Sequence, residues 1–262
     1  MLSCMVGIMG RRAVLHACGI SGCLLLFGVA LGLLFWQVPG IGDALRYIAH
    51  SAYGATSSVQ PAFQAGVTTM LYISIRNIMV TVILSLGGVA ILSCGTKIKS
   101  LMPKQKTTRR NSLGNIITKA DRKIAYPLAE VYAPSLKHVS DHQKNICIFL
   151  YLLPFFILIL NGMLIGGLAM QAAMNNQLNL FTAAIVPHGM IEIPLIISAG
   201  AVGILIANSA KTAIEQGKRN ILCVATIQTK FWVEYILAIC ALLILAALIE
   251  AFITPAVMAG GV

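Results

Sequence analysis

Charge is what this chain has least of. Only 10% of its 262 residues are Asp, Glu, Lys or Arg, and eight are acidic, where a soluble domain carries about 25% charged residues. A water-covered globular surface is excluded on that ground. Chemical motifs are missing as well. There is no Walker lysine loop, no G-x-S-x-G elbow and no H-E-x-x-H pair, so nothing marks a P-loop NTPase, a serine hydrolase or a zincin. The seven cysteines include no C-x-x-C pair and none falls in a loop expected outside. An odd set of this kind reads as reduced, soft packing residues.

What the chain has is apolar length. It is 58% hydrophobic with a mean hydropathy of +0.86. Five stretches reach the roughly 20 residues that a bilayer crossing needs: Ala13–Trp36, Val67–Cys94, Ile146–Met170, Thr182–Asn208 and Phe231–Val257. The first follows Arg11 and Arg12 as a signal peptide would. Its core is too long, and "WQVPGIGD" is a poor cleavage site, so it reads as a retained helix. The expected fold is an all-α polytopic transmembrane bundle of about five spans in a single membrane domain, residues 1–262.

Basic charge is concentrated. Of the 19 lysines and arginines, all but Arg46 and Arg76 lie in the N-terminal flank, loop 95–145 or loop 209–230. The positive-inside rule then puts the N-terminus and both basic loops in the cytoplasm and the C-terminus outside, in the cell membrane. Attraction to anionic lipid headgroups accounts for the basic loops, and no nucleic-acid partner is expected. Loop 95–145 divides into a polar part, "TKIKSLMPKQKTTRRNS", and a part with apolar spacing expected to form short surface helices. In outer loop 37–66, Ile41–Tyr53 sets Ile41, Leu45, Ile48 and Ala52 on one face, as an amphipathic segment would. Small residues four apart (Gly28–Gly32, Gly162–Gly166, Ala199–Gly203) predict packing seams inside the bundle, with a homo-oligomer face as the alternative.

Polar groups inside the spans are costly, about 2.5–3.5 kcal/mol for each charge. Away from the span ends they are Arg76, Glu192, Glu250 and the titratable His188, with Asn77 and Asn161 as polar neighbours. At about 1.5 Å per residue, all lie about 9–15 Å below the outer surface, in one layer. Arg76 and Glu192 match in depth and oppose in charge, which predicts a pair. Around them runs "VPHGMIEIP", residues 186–194. Pro187 suits a first helical turn and Gly189 permits a bend, so Pro187–Gly189 is expected to break the span, with Pro194 beyond. A helix from about Pro187 to Asn208 would hold Glu192 near its positive end, which favours a carboxylate. His188 and Glu192, four apart, share a face. That spacing supplies two metal ligands and no evident third, so no metal, cofactor or catalytic residue is assigned.

Taken together, "RNIMV", "NGMLIGG", "VPHGMIEIPLIISAGAVG" and "AALIEAFITP" resemble the stage II sporulation protein M family over roughly 67–95 and 146–257. The resemblance implies a multi-span membrane protein of bacteria or archaea. It also implies a scaffold for envelope partners, not an enzyme, because the founding member anchors peptidoglycan-degrading proteins. The positions it carries over are Arg76, Asn77, Asn161, Gly162, His188, Gly189, Glu192, Pro194, Glu250 and Pro255. The chain departs from the family in loop 95–145, where members usually connect the spans briefly.

Three functions fit these residues. The first is a non-enzymatic envelope scaffold or partner-assisting subunit. The second is a small transporter or permease subunit using Arg76, His188, Glu192 and Glu250. The third, with the least support, is a membrane-embedded hydrolase.

Overall fold

The computed structural model describes residues 11–44, 46–47, 62–101, 141–217 and 221–254. Five long helices fill it: α1 (Arg11–Phe35), α2 (Ala62–Leu101), α3 (Asp141–Met174), α4 (Leu178–Glu215) and α5 (Ile221–Leu248). A five-residue π turn, Ile249–Ile253, continues α5. Each helix contains a segment long and apolar enough to cross a membrane, so the chain is an all-α, multi-pass bundle.

The helices outrun the expected spans. α2 has 40 residues and α4 has 38, about 57–60 Å against a hydrocarbon core of about 30 Å. The connections shrink accordingly. Only 175–177 separates α3 from α4, turning through Asn176 at φ 55°, a left-handed conformation that Asn tolerates. α4 ends at Gly217, φ 71°, whose N–H reaches back to the Ile214 carbonyl. The ends of basic loop 95–145 are helical, since α2 runs to Leu101 and α3 starts at Asp141. The remainder of that loop lies outside the described residues. So does most of the amphipathic segment, of which 41–44 and 46–47 are helical.

α4 is the centre. It packs against α1, α2, α3 and α5, and every residue from Ala199 to Ala207 is buried. α1 packs chiefly on α3, and α5 on α4 and α2. Glycine explains the α1–α3 seam. A Cβ added at Gly28 would stand 2.3 Å from the Ile159 carbonyl oxygen, and one at Gly162 would stand 2.1 Å from that of Leu25. The two backbones therefore touch where only hydrogen fits, as the four-residue spacing predicts. Gly203 meets the Leu84 carbonyl of α2 in the same way. At one end of the seam Trp36 is buried over Gly167, and Arg46, bridged to Asp43 at 2.6 Å, lies 5.7 Å above the Trp36 ring. Cys18, Cys23, Cys147 and Cys240 are free thiols, with Cys147 in the core.

One expectation is overturned. Pro187–Gly189 does not break the fourth span, because α4 is continuous through Pro187 and Pro194. Energetics decide this. A break in lipid would strand up to about four N–H and four C=O groups at the new ends, each costing several kcal/mol. An interior proline removes one donor, at about 3 kcal/mol, where packed neighbours support the helix. Gly189 makes no close helix contact either, since an added Cβ would meet only side chains of its own helix, Ile185 at 3.0 Å and Ile193 at 3.8 Å.

Candidate functional site

Three elements converge on one polar cluster. α2 brings Arg76 and Asn77, α4 brings His188 and Glu192, and the π turn brings Glu250. His188 and Glu192 lie one turn apart and project from the same face of α4. The π turn adds a residue to the local repeat, which re-aims Glu250 toward α4. The Ile249 carbonyl there accepts both the backbone N–H and the side-chain hydroxyl of Thr254.

Asn77 Nδ2 donates to Glu192 Oε1 at 2.5 Å. His188 Nε2 stands 3.8 Å from Glu250 Oε2, with the two side chains 13% and 19% exposed. One ligand-type atom from each of His188, Glu192 and Glu250 lies within 4.8 Å of the other two. His188 Nδ1 is buried with no hydrogen-bond partner among the described residues. Arg76 stands next to Asn77 on α2, so the same element supplies a cation to the layer and a direct amide donor to Glu192.

The remaining sequence candidates fall elsewhere. Asn161 Nδ2 donates to the Ile157 carbonyl of its own helix at 2.8 Å, and that bond does not join it to the cluster. Pro187 is half-buried, Gly189 buried and Pro194 exposed, all within continuous helix. Pro255 lies outside the described residues. Sequence reasoning missed the approach of Glu250 to His188. The two are far apart in sequence, and depth alone, about equal for both, was the signal that could have joined them.

A polar row also runs along α2. Ser74, Asn77, Thr81 and Ser85 recur at three- and four-residue intervals on one face, toward the bundle interior. Ser85 donates to the Thr81 carbonyl, whereas the hydroxyls of Ser74 and Thr81, and of Ser21 on α1, have no partner among the described residues. Toward the other end of the bundle the Tyr151 hydroxyl donates to Asn208, and Lys211 pairs with Glu215 at 4.0 Å.

No curated protein and no solved structure matches the chain. Residues 146–255 match the family described as stage II sporulation protein M. The match takes in α3, α4, α5 and the π turn, and with them His188, Glu192 and Glu250. It does not reach α2, so Arg76 and Asn77 stand on the geometry. From α3 to the end of the π turn, the chain is thus similar to the stage II sporulation protein M family, the family its sequence resembles.

Proposed function

We propose that the protein is a non-enzymatic scaffold or partner-assisting subunit of the cell envelope. One observation carries this reading. The ionisable groups His188, Glu192 and Glu250, away from the ends of the spans, are turned on one another between α4 and the π turn with Asn77 of α2, and Met190, Leu26 and Leu237 present apolar faces to the bilayer, 74%, 69% and 62% exposed. The reading also draws on the scaffold role implied by the family. Its orientation follows the basic loops, with the N-terminus and loop 95–145 cytoplasmic and anionic lipid at their surface. A membrane or envelope protein is the partner, and a second copy of the chain is the alternative occupant. Site-specific photo-crosslinkers at Met190, Leu26 and Leu237 in native membranes test this. The expected result is a discrete adduct with one envelope protein from one of these faces. Equal labelling by lipid alone at all three positions counts against it.

The polar row Ser74–Asn77–Thr81–Ser85 favours a second reading, a small permease subunit, because unpartnered hydroxyls in lipid suit a hydrated path. Solute or proton flux in proteoliposomes, lost on Glu192→Gln, would select it over the scaffold.

A further inference from the structure

We propose that His188, Glu192 and Glu250 form an intramembrane site for a zinc-like, first-row transition-metal dication that fastens α4 to the π turn. The donor set comes first. Two residues one turn apart on α4 and a third from the π turn place ligand-type atoms within 4.8 Å of one another. With metal bonds of about 2.0–2.2 Å, tetrahedral ligands stand about 3.4 Å apart. The 3.8 Å between His188 Nε2 and Glu250 Oε2 is close to that edge, and too long for a hydrogen bond. The two groups face each other at the spacing of ligands that share an ion.

A second observation is independent of that spacing. His188 Nδ1 is buried without a partner among the described residues, so the ring has a nitrogen whose capacity they do not use, and an orphaned buried polar atom costs about 1–3 kcal/mol. A ring turned to coordinate through either nitrogen would use that capacity. The surroundings also fit. Asn77 holds Glu192 by one oxygen at 2.5 Å, as a second-sphere donor orients a ligating carboxylate. The π turn, an irregularity common where a side chain has been re-aimed for function, is what delivers Glu250.

The chemistry selects the metal. Calcium and magnesium take all-oxygen shells, and thiolate-seeking ions would want cysteine. One imidazole with two carboxylates suits zinc and its first-row neighbours. Electrostatics agree, because a dication offsets the charge of the two carboxylates that bind it, in a low-dielectric site where that charge is otherwise costly. The fourth position falls to water.

The test uses the full chain, purified in detergent, stripped with chelator and reloaded with Zn2+. Wild type should retain one equivalent through gel filtration, with an X-ray absorption shell of nitrogen and oxygen only, imidazole included. His188→Gln and Glu250→Gln should each weaken zinc binding by at least about 100-fold, the upper end of second-sphere effects. Glu215→Gln, outside the cluster, should bind as wild type does. Failure of wild type to retain zinc, a sulfur-containing shell, or undiminished affinity in both variants would overturn the proposal. If either variant fails to fold, the wild-type absorption shell decides alone.

Discussion

Asn77 of α2 and Glu192 of α4 are joined by a 2.5 Å hydrogen bond inside the membrane-spanning bundle, 115 residues apart in sequence. An amide is the appropriate neutral donor here: it serves the carboxylate without adding a charge to bury. Asn77→Ala strands one carboxylate oxygen and should lower stability by about 1–3 kcal/mol. Asn77→Asp should be worse, since two carboxylates would then face each other, and Glu192→Gln should rescue it. Thermal melts of the purified variants check the order. A melt for Asn77→Asp at or above that of Asn77→Ala would remove the bond from the account.

Arg76 shares its layer of the bundle with two carboxylates, Glu192 and Glu250. Arg76→Met alone leaves both uncompensated, and losing one partner of a buried pair costs about 3–5 kcal/mol. Adding Glu192→Gln or Glu250→Gln should each restore part of that loss in double-mutant cycles. Strict additivity with Glu250→Gln would confine Arg76 to Glu192.

The glycine seam gives a contrast within one helix. Gly28→Ala drives a methyl group to 2.3 Å from the Ile159 carbonyl oxygen, whereas at Gly19 nothing lies within 4 Å. Gly28→Ala should therefore destabilise by about 1–3 kcal/mol. Gly19→Ala should be neutral or stabilising by up to about 1 kcal/mol. Equal melting temperatures would mean that α1 and α3 do not meet along this line.

Much of the fold was legible from composition. Five apolar stretches became five helices because lipid leaves the backbone no other way to satisfy its hydrogen bonds. The seam was legible because small residues four apart carry their own reason. The cluster was legible as a layer: depth counting put His188, Glu192, Glu250 and Asn77 at one level. It could not say which side of each helix faced which neighbour, so the Asn77 bond to Glu192 and the approach of Glu250 to His188 were not foreseen. The continuous helix through Pro187 was misread for a different reason. Proline rules come from water, where a broken helix end finds solvent partners. In lipid those partners are missing, and a strained continuous helix costs less than two bare ends.

Topology is open to a direct check. Loop 95–145 should lie on the cytoplasmic side and the α3–α4 turn at Asn176 on the other, because basic residues crowd the first and are absent from the second. In a cysteine-free background, single cysteines at Ser112 and Asn176 should react with an impermeant reagent from opposite faces. Labelling of Ser112 in intact cells would invert the whole orientation.

The Asp43–Arg46 bridge makes a small pH probe. The Arg46 hydrogen bond, with help from the Gly40 N–H, holds the Asp43 carboxyl below its usual range. Because this carboxyl is depressed in the fold, the clamp is present at and above the ordinary value of about 3.9 and is lost as pH falls through the lowered one. Arg46 sits over Trp36, so Trp36 emission in a Trp232→Phe variant should change only in that acid range. A transition above it would assign the change to another group.

The α1–α3 seam also bears on biosynthesis. Among the described residues α1 has its chief partner in α3 and no substantial contact with α2. α1 thus leaves the ribosome before the surface it fits has been made. Between Phe35 and Gly162 the ribosome adds more than a hundred residues, on the order of ten seconds of synthesis. For that interval the glycine face of α1 lies against lipid tails or an insertion factor. The bundle closes only once α3 and α4 have followed, so a nascent chain stopped before α3 lacks the chief surface that α1 packs on.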